Sequence, residues 1–169
     1  MKKILSFVAV AAFLLFAGNA NAQLSIHAGY QNYSLHANGY SASDDGFYAG
    51  LSYNLEAGGG LGIAPGAYFT YVEDIIDVRV PILMNYVIHL NDLGIGAFLG
   101  PNVTIGLAGD VYGDGDGYMR RFDLGLTFGA QLSYQKFSFE LGYNMGLLKR
   151  YKDTDVKSNQ FFVGVGYAL

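Results

Sequence analysis

The sequence has no cysteine. A secreted disulfide scaffold is therefore excluded, and so are thiolate metal sites and cysteine nucleophiles. Charge is scarce too. Asp, Glu, Lys and Arg make up 14% of the chain, against about 25% in an ordinary soluble domain. The formal net charge is −4, and an acidic balance argues against a nucleic-acid binder. Past residue 22 no apolar run approaches the roughly 20 residues that a transmembrane helix needs. What is abundant is glycine and aromatic side chain: 24 Gly, 14 Tyr and 12 Phe.

The chain opens Met1-Lys2-Lys3, runs apolar from Ile4 to Phe16 and reaches Ala20-Asn21-Ala22. A basic start, a short apolar core and an Ala-x-Ala end predict a signal peptide over residues 1–22, cleaved after Ala22. Removing those 22 of 169 residues leaves 147, enough for one domain over 23–169. The loss of Lys2 and Lys3 takes the formal charge from −4 to −6.

The mature region alternates with a period of two, the signature of strands with two unlike faces. The last ten residues are the clearest case. Phe161, Val163, Val165, Tyr167 and Leu169 alternate with Phe162, Gly164, Gly166 and Ala168. Seven earlier stripes begin at Leu24, Phe47, Leu61, Val78, Ile95, Phe122 and Phe137. Pro65 cannot donate to a ladder, so a bulge or a locally open bond is expected there. Matching faces across the tight turns predicts two registers. Leu90 meets Leu93, which sets Arg79 opposite Thr104. Tyr134 meets Phe137, which sets Gln131 opposite Glu140.

Eight such segments, an export signal and no spanning helix predict an eight-stranded antiparallel up-and-down β-barrel in an outer membrane. Closure removes the edge that the final strand would otherwise leave bare. Short connections at Glu56–Gly60, Asn91–Asp92 and Gln135–Lys136 are expected in the periplasm, with both termini. Longer ones at His36–Gly46, Val72–Asp77, Ala108–Arg121 and Lys149–Asn159 are expected outside. Aromatic girdles are predicted at Tyr53, Tyr86, Tyr134, Phe137 and Tyr167 on the inner side. On the outer side they fall at Tyr30, Phe47, Phe69, Tyr71, Phe122 and Tyr143. The opposite face reads as small and polar. A soluble ligand-holding barrel has the reverse polarity, apolar inward and polar outward.

Val80-Pro81-Ile82-Leu83-Met84-Asn85-Tyr86, followed by a tight turn and Phe98-Leu99-Gly100-Pro101-Asn102-Val103, resembles the PorT-like outer-membrane β-barrel family of Bacteroidota. Arg121-Phe122-Asp123-Leu124-Gly125-Leu126 and Gly164-Val165-Gly166-Tyr167 fit the same pattern. The resemblance implies an outer-membrane barrel. One namesake takes part in protein secretion.

The inward face offers Arg79, Asp123, Glu140, Asn85, Asn102, Gln131 and Asn144. An eight-stranded barrel is just wide enough to be filled by side chains, so a lumen plug in which Arg79 meets Glu140 or Asp123 is expected. The same residues could gate a narrow conductance. For an enzyme, a nucleophile, a base and an orienting group must lie within reach of one another. His27, His36 and His89 are each read as lacking a Ser and a carboxylate at matching depth on a strand. The best trio, His36, Ser41 or Ser43, and Asp44, is a loop cluster that turn chemistry explains equally well. Asp110, Asp114 and Asp116 form a weak Ca²⁺ candidate that lacks the distant bidentate Glu. Lys149-Arg150-Tyr151-Lys152 could meet anionic sugars of the outer leaflet.

The expected function is a structural scaffold or surface adhesin that binds partners through four extracellular loops, not an enzyme. A narrow pore, a secretion accessory and a lipid-modifying enzyme are the alternatives. No cofactor and no nucleic acid are expected. The expected partners are outer-membrane lipid, lipopolysaccharide, the barrel-assembly machinery and an unidentified surface or periplasmic protein. The chain is expected to be a monomer, with Phe161, Val163, Val165, Tyr167 and Leu169 as its assembly signal.

Overall fold

The computed structural model describes residues 22–37, 40–109, 112, 119–149 and 156–169. Residues 1–21, most of the predicted signal peptide, lie outside the described residues. The strands are β1 (Ala22–Ala37), β2 (Tyr40–Gly58), β3 (Leu61–Val72), β4 (Ile75–Leu90), β5 (Leu93–Ala108), β6 (Phe122–Tyr134), β7 (Phe137–Gly146) and β8 (Lys157–Ala168). Each pairs antiparallel with the next, and β8 pairs with β1 from His36↔Lys157 to Ser25↔Ala168, so the barrel is closed. Closure follows from the sequence pattern. Every strand carries one continuous apolar face, and only a cylinder leaves no edge for that face to run off.

One end of the barrel holds the start of β1, the end of β8 and three tight turns: Gly59-Gly60, Asn91-Asp92 and Gln135-Lys136. We call it the turn end, and the opposite one the hairpin end. Asn91 and Gln135 take positive φ of 56° and 54°, the left-handed conformation that a two-residue hairpin demands of its first residue. The β4–β5 register sets Leu90 opposite Leu93 and Arg79 opposite Thr104, as face matching predicts. The β6–β7 register likewise sets Tyr134 opposite Phe137 and Gln131 opposite Glu140.

Proline leaves its mark on the ladders. Between β2 and β3 the pairing runs to Ser52↔Gly66 and resumes at Leu55↔Ile63, skipping Pro65 without changing register. The locally open bond expected at Pro65 is present. The β4–β5 ladder skips Pro101 in the same way.

Two connections differ from expectation. His36–Gly46 is not a loop: β1 and β2 stay paired out to Ala37↔Tyr40, leaving only residues 38 and 39, which lie outside the described residues. The physical reason is that a strand pair standing clear of the apolar band needs no apolar face, so its polar composition reads like a loop. Val72–Asp77 shrinks to a turn at Glu73-Asp74, with Glu73 at φ 49° and β4 starting at Ile75. In addition, the last three residues assigned to the Lys149–Asn159 loop belong to β8.

The outer surface is a belt of exposed Leu, Ile, Val, Phe and Met side chains from all eight strands. Tyr86, Tyr134 and Phe137 point outward near the turn end, and Tyr30, Phe47, Phe69, Tyr71 and Phe122 toward the hairpin end. Tyr53, Tyr143 and Tyr167 share the outward face and are half-buried. The inner face corrects the expectation of small and polar residues alone. It carries an aromatic core of Tyr48, Tyr68, Phe98 and Phe162. Glycines on neighbouring strands make room for these rings. Gly142, for example, lies against Phe162, where an added Cβ would sit 2.7 Å from Cε1.

Candidate functional site

The lumen is built in layers. A polar chain crosses four strands: Asn102 Nδ2 donates to Thr127 Oγ1 (2.8 Å), Thr127 Oγ1 donates to Asn144 Oδ1 (2.7 Å), and Asn144 Nδ2 donates to Gln160 Oε1 (3.3 Å). Arg79 Nη1 donates to the same Gln160 oxygen at 2.5 Å. The guanidinium also faces the rings of Phe162, Tyr68 and Tyr48 at 5.5, 5.8 and 6.0 Å. Aromatic faces and a neutral amide thus hold this buried cation.

The expected pairing of Arg79 with Glu140 or Asp123 is not formed. Neither carboxylate lies within ion-pair distance of Arg79. Asp123 accepts from Ser158 Oγ at 2.7 Å. Glu140 accepts from the Tyr48 hydroxyl at 2.5 Å. Arg79 and Glu140 both face the layer of Tyr48, Tyr68, Phe98 and Phe162, while Asp123 sits level with Arg79, two strands along through Thr104. Tyr48 stacks edge-on against Phe162 at 5.7 Å and Tyr68 at 6.0 Å. The space left in this layer is about 20 Å³, the room of a single water.

Toward the hairpin end the lumen is capped by buried Tyr33, Val72, Tyr112, Met119 and Val156. Tyr112 and Met119 form an isolated bridge above β5 and β6. The Tyr112 hydroxyl bonds Asp77, and the Tyr33 hydroxyl points at Met119 Sδ from 3.7 Å. Arg121 lies over the Tyr112 ring at 5.4 Å and donates to the Leu107 carbonyl. The Tyr112 ring rests on Gly106, where a Cβ would fall 2.7 Å from Cε1.

Toward the turn end the lumen opens into a cavity of about 310 Å³. Asn85 and Gln131, both predicted lumen residues, line it, and Asn85 Nδ2 donates to Asn54 Oδ1 at 2.8 Å. In its wall lie Ser52, His27 and Glu140. His27 Nε2 is 2.8 Å from Ser52 Oγ. His27 Nδ1 is 3.3 Å from Glu140 Oε2, near enough for an ion pair but not aligned as a hydrogen bond. The side chains of His27 and Glu140 are 10% and 11% exposed.

This arrangement overturns the reading that no histidine has a serine and a carboxylate at its own depth. His27 comes from β1, Ser52 from β2 and Glu140 from β7, the last two strands away through β8. The β8 residues between His27 and Glu140 are Gly166 and Gly164. With no side chains there, imidazole and carboxylate meet across the intervening strand. A Cβ on Gly166 would lie 2.9 Å from His27 Nδ1. A signal for the trio was present in the sequence: adding the β1–β8 register to the β7–β8 register brings position 27 and position 140 to adjacent glycines of one strand.

Ser43 and Asp44, of the trio with His36, stand on β2 beyond the barrel rim, opposite Ser34 and Tyr33. Ser41 and His36 pair with one another through the backbone. Asp110, Asp114 and Asp116 lie outside the described residues, as do Arg150, Tyr151 and Lys152. Among the described residues no group of three His, Asp or Glu side chains is placed to hold a metal.

No protein-family model matches the chain, and no curated protein matches it. Solved structures do. The chain shares the fold of small outer-membrane barrels. Ail, the attachment invasion locus protein of Yersinia pestis, in complex with the heparin analogue sucrose octasulfate, is similar at 20% identity and a TM-score of 0.52, over 88% of this chain and 99% of its own. Neisserial surface protein A is similar at 16% identity and a TM-score of 0.55, over 86% of this chain and 97% of its own. The outer membrane enzyme PagL is similar at 14% identity and a TM-score of 0.64, over 87% of this chain and 99% of its own. At these identities the likeness carries the architecture and not the chemistry.

Proposed function

We propose that the protein is an integral outer-membrane barrel that acts as a scaffold, presenting the β1–β2 hairpin as a partner-binding surface outside the cell. The observation that carries this reading is the contrast between a lumen blocked by its aromatic layer and an extended hairpin. β3 ends at Val72, opposite Gly46, while β2 continues outward to Tyr40. The Tyr40–Asp45 segment therefore has β1 on one side and no β3 partner on the other. A free strand edge is the surface on which another chain can add a strand.

Membrane insertion is supported by the continuous exposed apolar belt, which water would penalise on every strand. The orientation follows the general rule of short periplasmic turns and longer outer connections. The turn end and both termini then face the periplasm, and residues 1–22 serve as the signal peptide. The Val80–Tyr86 and Phe98–Val103 motifs support a place in the PorT-like family. Lipid and lipopolysaccharide surround a single copy, and the assembly machinery reads Phe161, Val163, Val165, Tyr167 and Leu169. A conducting pore is disfavoured by the aromatic layer and its residual space of about 20 Å³.

The test shortens the hairpin. Residues 35–42 are replaced by Asn-Gly, so that Ser34 and Ser43, already paired, close a two-residue turn. The barrel should stay in the outer membrane and keep its heat-modifiable gel mobility. A photo-crosslinker at position 44 on intact cells should capture a partner with the full hairpin and none with the short one. Equal capture by both forms, or recovery of the protein in the soluble periplasmic fraction, would overturn the reading.

A further inference from the structure

We propose that Ser52, His27 and Glu140 form a serine-hydrolase site at the bottom of the lumen cavity, acting on small carboxylic esters. Four observations support it independently of the scaffold role. The first is order: nucleophile, imidazole and carboxylate are in sequence, with Ser52 Oγ on Nε2 at 2.8 Å and Glu140 Oε2 facing Nδ1 at 3.3 Å. Before substrate binds, contacts that orient a catalytic imidazole are commonly long or poorly aligned. The second is burial. Ser52 is 8% exposed, and its neighbours exclude bulk water while one side opens to the cavity.

The third is the clearance around the trio. Gly164 and Gly166 give the imidazole and the carboxylate a bare strip of β8 to meet on. The Tyr48 hydroxyl fixes the other carboxylate oxygen, Oε1, so that Oε2 is left facing His27. The fourth is the supply of donors. The cavity is lined by Asn54 and Tyr68. Asn54 Oδ1 is taken by Asn85, which turns the Asn54 amide nitrogen away from that bond. Tyr68 stands beside the trio, its ring centroid 5.6 Å from that of His27.

The reaction balances without any co-reactant but water. Ser52 Oγ attacks the ester carbonyl carbon and its proton passes to His27 Nε2. The carbonyl oxygen becomes an oxyanion that Asn54 and Tyr68 can meet. Collapse breaks the ester C–O bond, and the alcohol leaves with the proton from Nε2. Water then attacks the acyl-Ser52 ester and gives its proton to Nε2. The acid departs as Ser52 Oγ regains that proton. Ser52 and His27 are the catalytic residues, and Glu140 is a positioning residue that orients the imidazole.

The substrate class follows from the cavity. About 310 Å³ suits a short acyl group beside Leu83 and Phe98, not a membrane lipid. The wall between β1 and β8 is paired from Ser25 outward, and the lumen above is blocked by the aromatic layer. Substrate enters from the turn end. That this means the periplasm rests on the orientation proposed above, and the chemistry does not.

The experiment uses the refolded mature barrel in detergent, where orientation plays no part. A fluorophosphonate probe should label one residue, Ser52, identified by mass spectrometry. p-Nitrophenyl acetate should be hydrolysed on the order of 10²-fold faster than by Ser52→Ala, with the rate falling as the acyl chain lengthens to palmitate. His27→Gln should abolish labelling. Glu140→Gln should lower kcat at little-changed KM, with partial rescue by Glu140→Asp, a pattern that a purely structural carboxylate would not give. Ser52→Ala removes one oxygen and should remain heat-modifiable. A folded wild-type barrel that takes no label, or a Ser52→Ala barrel labelled equally, overturns the proposal and leaves the scaffold reading standing.

Discussion

Arg79 on β4 and Gln160 on β8 stand on opposite walls of the eight-stranded ring, and the arginine Nη1 donates to the glutamine Oε1 at 2.5 Å. That contact ties the barrel across its axis. It also explains how a buried cation is kept without a carboxylate in ion-pair contact: the amide oxygen accepts the N–H hydrogen bond and three aromatic faces meet the charge. The pair should therefore be energetically coupled. A double-mutant cycle of Arg79→Met and Gln160→Met, read by urea unfolding of the refolded barrel, is expected to show a coupling of about 0.5–3 kcal/mol. Additive effects would mean that the contact contributes nothing.

Tyr48 makes a similar link from β2 to Glu140 on β7. Tyr48→Phe keeps the ring against Phe162 and Tyr68 and deletes only the hydroxyl. The half-buried carboxylate then loses a donor, which costs about 1–3 kcal/mol. The same unfolding measurement should show the loss. A variant as stable as wild type would show that solvent replaces the tyrosine without penalty.

Gly164 is held bare by its surroundings. A Cβ there would lie 2.7 Å from the Ala28 carbonyl oxygen and 2.9 Å from Tyr48 Cζ. Gly164→Val should destabilise the barrel by about 1–3 kcal/mol through overpacking. Ala130→Val, on the exposed outer face, should change stability by less than about 0.5 kcal/mol. Comparable effects at the two positions would contradict the inward assignment of Gly164.

Gln135 holds a left-handed φ of 54°, which costs a side-chain-bearing residue about 1–2 kcal/mol. Gln135→Gly removes that strain at the price of a more flexible unfolded chain. We expect a net gain of a few tenths to about 1 kcal/mol, visible as a higher urea midpoint. A lower midpoint would mean that the glutamine side chain contributes more than its backbone strain costs.

The barrel was largely legible in the sequence because lipid and lumen impose opposite demands on alternate residues. Leu90 with Leu93 and Tyr134 with Phe137 fix their hairpins for that reason: a slip of one residue would turn every apolar side chain inward. The signal fades where the chain leaves the apolar belt. Residues 36–46 of the β1–β2 hairpin carry no sustained alternation of apolar and polar side chains, so nothing in their composition separates strand from loop.

The site was harder to read because it depends on closure. His27 and Ser52 are 25 residues apart, and Glu140 reaches them only because β8 joins β1 to β7 through Gly164 and Gly166. Arg79 misled for a related reason. Opposite charges suggested an ion pair, but Gln160 and the rings of Tyr48, Tyr68 and Phe162 take up the guanidinium instead. Large rings set among glycines on the inner face were the available clue, since a lumen lined only by small residues would be hollow.

The central claim is that this lumen is blocked at its aromatic layer, so that the barrel serves as a scaffold and not as a conduit. Single-channel recording of the refolded mature barrel in planar lipid bilayers tests it most directly. The account predicts a silent bilayer, for the wild type and for the hairpin-shortened variant alike. Discrete conductance steps from the wild-type protein, altered in size by Arg79→Ala, would place an open path through the layer of Arg79, Tyr48, Tyr68, Phe98 and Phe162 and contradict it.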